Sequence, residues 1–294
     1  MHDRRRRRWH VSPSGDLASS AAFAGIVAVG VTVAIERFGG RLGGLIGTLP
    51  STIVPASLGI YAGTASATAA AASANGHHAA FAAAMGAVPV GMLLNALFLL
   101  LWRELPPRLP AWSLRARLAL MVAVSMSLWA IAAIGVVLTL AQLQAHGLTV
   151  GLAATAVMFV LGVGACLTSP PAPRGRNPVN FGTLIARGLL AAIAIGISVA
   201  IAQAGAEVAA GVASVLPAIF LTAMVSLWLS QGEAVPAGAV GPMMLGSTAV
   251  AGYALLAAVL LPVLGPTLGA LASWCIAALG LTLPAWWWLR ARAP

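Results

Sequence analysis

Lysine is absent from this 294-residue chain, and its only aspartates are Asp3 and Asp16. Without lysine there is no Walker A Gly-Lys-Ser/Thr, so the chain carries no ATP-driven motor. Two aspartates confined to one tail exclude an intramembrane aspartyl dyad. No His-Glu-x-x-His occurs, and "GISVA" at 196–200 is not a Gly-x-Ser-x-Gly elbow. Cysteine is limited to Cys166 and Cys275, both inside apolar runs, which gives neither a disulfide framework nor a metal-ligand spacing. Charge is scarce as well. Only 7% of residues are charged, against about 25% in a soluble domain, too few to cover a water-facing surface. These absences point away from an enzyme, and no cofactor or metal is expected.

What the chain does have is apolar length. Sixty per cent of its residues are hydrophobic and its mean hydropathy is +0.96. Runs of about 20 apolar residues, each enough to cross a hydrocarbon core of roughly 30 Å, recur throughout. The expected fold is all-α, a polytopic transmembrane helix bundle of about nine spans. They fall at 17–35, 42–62, 79–102, 118–143, 148–167, 184–201, 208–229, 235–261 and 264–289. The segment "GTASATAAAASANGHH" (63–78) is too polar for a clear span and too apolar for a clear loop; if it crosses, the count is ten. The chain divides into a basic tail (1–16), a first transmembrane repeat (17–168), a Pro/Arg linker (169–183) and a second repeat (184–294).

The formal charge of +10 is carried entirely by arginine. No folded basic domain exists to present it to a nucleic acid, so the expected partners of these arginines are anionic lipids. With nine spans, Arg37, Arg41, Arg103, Arg108, Arg115, Arg117, Arg174, Arg176, Arg290 and Arg292 fall on one side of the membrane. The positive-inside rule makes that side cytoplasmic and puts the C-terminus there, in a bacterial-type inner membrane. Trp102, Trp112, Trp286, Trp287 and Trp288 stand at span ends, where an interfacial aromatic belt is expected. The arginine-rich head resembles a signal n-region, but the run after it ends in "AIERFGG" rather than a small-residue cleavage site, so it is expected to be retained.

Residues 37–63 have an echo at 204–230, displaced by 167 positions. Pro50 falls on Pro217, Leu49 on Leu216, Gly44 on Gly211, Ala56 on Ala223 and Tyr61 on Trp228. In the nine-span count the copies are five spans apart, so the second is inverted relative to the first. Inverted-topology repeats with interrupted helices at mid-membrane are the architecture of many secondary transporters.

The prolines give the echo its chemistry. Pro50 has no amide hydrogen, which frees the carbonyl of Ile46; Pro55 does the same to Ser51, and Pro217 to Ala213. In lipid such a carbonyl must find another partner, and a break also opens a half-helix N-terminus that suits an anion. The candidate substrate-binding residues are therefore Arg41, Thr48, Pro50, Ser51, Thr52, Pro217 and Thr222. Glu36 and Glu207, which end equivalent spans, are candidates for ion coupling. Asn95, deep in the third span, is expected to bond a neighbouring helix, and His77 with His78 make a poor metal site. Gly39, Gly43 and Gly47 form a smooth packing face, with a weaker instance at 265–269, which leaves homo-oligomerisation open.

The expectation is thus a secondary active transporter of a small anionic or zwitterionic solute, coupled to a proton or sodium ion. The alternatives are a non-transporting scaffold or assembly subunit, and a channel.

Overall fold

In the computed structural model, residues 21–22, 25–26, 49–70, 76–143, 147–168, 181–232 and 234–292 are described. Among them every regular element is helical. In chain order these are α1 (Ile53–Ala70), α2 (Gly76–Glu104), a 3-10 turn (Pro106–Arg108), α3 (Leu114–Leu143) and α4 (Gly147–Thr168). There follow α5 (Phe181–Gln203), α6 (Glu207–Ala213), α7 (Ala218–Gln231), α8 (Ala234–Leu264) and α9 (Pro266–Ala277). A π-helical turn (Ala278–Thr282) joins α9 to α10 (Leu283–Ala291).

Among the described residues, six helical stretches are long and apolar enough to cross a membrane: Gly76–Glu104, Leu114–Gln142, Gly147–Thr168, Glu207–Leu229, Pro236–Leu264 and Pro266–Ala291. This is compatible with an integral membrane protein. Each matches one of the nine expected spans. The apolar part of α5, Gly188–Gln203, is a shorter helix. Span 17–35 lies almost wholly outside the described residues, as does the first part of span 42–62. The ambiguous segment at 63–78 is not a span of its own. Its first part prolongs α1 to Ala70 and its last part opens α2, with 71–75 outside the described residues. The hydroxyls that made it look polar turn back onto their own helix. Thr64 donates to the Ile60 carbonyl, Ser66 to that of Ala62 and Thr68 to that of Thr64, which lets them live in an apolar helix.

Helices α2, α4 and α8 form the centre, and glycine makes their approach close. A Cβ on Gly86 would come within 2.6 Å of the Gly147 backbone, and one on Gly241 within 2.8 Å of the Cys166 nitrogen. At Gly211 of α6 an added Cβ would collide with the Ala84 carbonyl of α2. These are backbone-on-backbone contacts of the kind that small residues permit in lipid. Of the "GPTLG" stretch, Gly269 packs against the backbone of Leu260 and Leu261, whereas Gly265, with φ 81°, makes the turn between α8 and α9. Gly39, Gly43 and Gly47 lie outside the described residues.

The aromatic belt needs correction. Trp102 is fully buried, edge-on to Trp228 with ring centroids 5.9 Å apart, so it belongs to the core. Trp112 (56% exposed) and Trp287 (62% exposed) do face outward. Trp286 and Trp288 lie under the guanidinium groups of Arg290 and Arg292, at 5.0 and 4.6 Å. Cys166 and Cys275 form no disulfide.

Gly211→Ala and Gly241→Ala should each lower stability by roughly 1–3 kcal/mol, the usual cost of overpacking. Gly135→Ala, whose Cβ would meet nothing within 4 Å, should cost nothing. Thermal unfolding of the detergent-purified protein checks all three.

Candidate functional site

The helix is interrupted at Pro217; at Pro50 the described residues show a turn that leads into α1, and residues 27–48 before it lie outside the described residues. In the second copy, the helical ladder stops after Ala213, and α7 starts at Ala218 with Pro217 at its N-cap. The amide of Ala218 turns back across the proline to the Leu216 carbonyl at 2.7 Å. In the first copy, the amide of Ser51 turns back across Pro50 to the Leu49 carbonyl at 2.6 Å, and α1 starts two residues later at Ile53. Leu49, Pro50 and Ser51 are the residues that the 167-residue echo sets on Leu216, Pro217 and Ala218.

The two breaks open onto one cavity, with about 590 Å³ of empty space that includes its open mouth. The first break contributes Leu49, Thr52 and Ile53; the second contributes Ser214, Val215 and Leu216, and then Ala218, Ile219 and Phe220 of α7. Met92 and Asn95 of α2, Val250 of α8, and Ala191, Ala194 and Ile195 of α5 close the remainder. Among the described residues, no ionisable side chain lines this space.

The half-helices run in opposite directions. On α1, Ile53 lines the cavity and Ser57 lies 2.7 Å from the Tyr253 hydroxyl; on α8, Val250 lines the cavity one turn before Tyr253. α1 and α8 therefore run the same way. α7 turns back into α8 at Gly232, whose φ of 86° permits the sharp reversal. α1 and α7 thus leave the cavity in opposite senses, each presenting its N-terminus to it. No side chain caps α7. Its first-turn amides, with those of α1, are donors without helical acceptors, at the positive ends of two helix dipoles.

The second break leaves carbonyls behind. Val215 would have served Ile219 in an unbroken helix; instead its oxygen accepts from the Asn95 amide nitrogen at 2.7 Å. Only the nitrogen of that amide can donate, so the bond fixes the orientation of the side chain. Asn95 Oδ1 is then left as an acceptor without a donor, on a residue only 1% exposed. The bond expected from Asn95 to a neighbouring helix goes instead to the non-helical break between α6 and α7. Its place in the cavity was not foreseen, since Asn95 and Val215 are 120 residues apart in sequence.

The predicted residues fare unevenly. Thr52 lines the cavity; Pro50, Ser51 and Pro217 are chain neighbours of lining residues but do not line it themselves. Thr222 bonds the Ala218 and Ile219 carbonyls of its own helix and is not a lining residue. Glu207 opens α6 at the far end of that helix from the break, away from the cavity. Glu36, Arg41 and Thr48 lie outside the described residues. His77 accepts or shares a hydrogen bond with Thr64 at 3.2 Å and stands edge-on to Tyr61. No group of metal-ligating side chains occurs among the described residues. Arg103 holds the end of α4 through the carbonyls of Ala165 and Thr168, at 3.2 and 3.0 Å, and pairs with Glu104.

No protein-family model matches this chain, and neither a curated protein nor a solved structure matches it significantly.

The Ser57–Tyr253 bond, which ties α1 to α8 beside the cavity, predicts unequal costs. Ser57 also bonds the Val54 carbonyl, so Tyr253→Phe leaves it partnered and should cost about 0.5–1.5 kcal/mol. Ser57→Ala orphans a buried phenol and should cost more, roughly 1–3 kcal/mol. Thermal unfolding of the two single variants and the double variant measures the difference.

Proposed function

We propose that this chain is a secondary transporter of a small solute, with its site between the interrupted helices at Pro50 and Pro217. One observation carries the reading: the N-termini of α1 and of the uncapped α7, which run in opposite senses, converge on a single cavity. Unpaired peptide groups inside an apolar bundle cost several kcal/mol each unless a partner meets them. A scaffold gains nothing from such a break, whereas a carrier uses it to grip a solute reversibly. The opposed directions of α1 and α7, and the amide that turns back across each proline, support an inverted-topology duplication of the two halves.

In this proposal Thr52 and the amides of both breaks hold the substrate, with Pro50 and Pro217 keeping the breaks open. Thr222 drops out because its hydroxyl is spent on its own helix. Coupling to a proton or sodium ion belongs to the proposal, with Glu36 rather than Glu207 as the carrier, since Glu207 stands clear of the cavity. The C-terminus, where arginines stack on tryptophans, is assigned to the cytoplasmic face.

The test is flux in proteoliposomes. A carrier gives saturable counterflow that depends on an imposed proton or sodium gradient. Pro217→Ala restores an amide and favours a continuous helix, so the variant should stay inserted with undiminished thermal stability. Its flux should fall at least about tenfold, equivalent to ~1.4 kcal/mol of lost binding. Unsaturable flux would make the protein a channel. Unchanged flux in Pro217→Ala would remove the breaks from the mechanism.

A further inference from the structure

The cavity's chemistry narrows the ligand, provided that the cavity is the substrate site as proposed above. Its donors are the first-turn amides of Ile219 and Phe220 in α7 and of Ile53 and Val54 in α1, since Ala218 is spent on Leu216 and Pro55 has no amide hydrogen. α1 and α7 have 18 and 14 residues, and both dipoles point their positive ends inward. This end of the site suits a carboxylate. Its acceptors are of the other kind. Asn95 Oδ1 is buried, turned away from the nitrogen that serves Val215, and lacks a donor. The Ser214 carbonyl, which an unbroken helix would pair with Ala218, has lost that amide to Leu216. These two oxygens suit an N–H group, and best a cationic one. The rest of the wall, including Ile53, Ala194, Ile195, Phe220 and Val250, is apolar.

A bare anion would satisfy the amides and leave Asn95 Oδ1 orphaned in an apolar interior, and a bare cation would face two helix dipoles of its own sign. We infer that the ligand is a net-neutral zwitterion with an apolar side chain, an α-amino acid or close analogue. Its carboxylate lies at the N-termini of α1 and α7, and its ammonium donates to Asn95 Oδ1. Asn95 is then the residue that separates zwitterions from simple carboxylates.

Four probes test this by calorimetry on the purified full chain in detergent: L-leucine, 4-methylpentanoate, which lacks the amine, 3-methylbutylamine, which lacks the carboxylate, and leucinamide, which is cationic. Leucine should bind at least about tenfold more tightly than the other three, a difference that one charge-assisted hydrogen bond can supply. Asn95→Leu should reduce leucine to the level of 4-methylpentanoate. Asn95→Asp places a carboxylate where the acceptor stood, and should turn the preference toward 3-methylbutylamine. A merely structural asparagine would not produce that reversal. Equal binding of leucine and 4-methylpentanoate, no binding of any probe, or an unchanged order in Asn95→Asp would each overturn the inference. Binding needs no gradient, so the two proposals fail separately. Leucine binding without counterflow would end the transport reading alone; saturable counterflow of a solute lacking an amine would end this one alone.

Discussion

The structure turns on one requirement: a peptide group inside an apolar bundle must find a partner. Residues 214–217 violate the helical solution to that requirement, and the Asn95 amide repairs part of the damage by donating to the Val215 carbonyl. The repair has geometric conditions. An asparagine side chain is short, so α6 must lie almost in backbone contact with α2, which Gly211 against Ala84 and Gly91 against Val212 and Val215 allow. The polar bond and the glycine contacts are therefore one device. Neither would hold α6 in place without the other.

The two breaks reach the same turn by different chemistry. After Pro50 come Ser51 and Thr52; after Pro217 come Ala218 and Ile219, and the nearby Ser214 hydroxyl donates to the Gly211 carbonyl of α6. In both, an amide reaches back two residues across the proline, which is what a chain does when the proline ring forbids the normal donor. At the second break the missing polarity is brought from another helix.

Much of this was legible in the chain. Proline inside an apolar run marks the interruption at Pro217, although Pro89 of α2 and Pro242 and Pro262 of α8 sit inside continuous helices, and it was the echo of Pro50 at Pro217 that singled out that pair. The helical class followed from composition alone. What stayed hidden was sidedness. A tryptophan at the end of an apolar run reads the same whether it meets lipid or core, and Trp102 meets Trp228. Glu207 follows its span as Glu36 does, yet sequence order does not tell which end of a short helix faces a cavity. Thr222 has the right register for a lining hydroxyl but bonds its own backbone, the commonest fate of a threonine in an apolar helix. Asn95 was expected to bond a neighbouring helix; its bond goes to Val215, in the break between α6 and α7, a partner that only the packing of distant segments supplies.

The glycine seams linking α2, α4 and α8 have a mechanical consequence. Where main chain rests on main chain, as at Gly86 on Gly147, Gly162 on Leu245 and Gly241 on Cys166, no flexible side chain lies between to absorb a slide. Those three rods form a keel that translates as one piece or not at all. Compliance is concentrated instead where the hydrogen-bond ladder is already cut, at the four residues joining α6 to α7. Any widening of the central hollow is accordingly a swing of α7 about that joint, with the keel standing still.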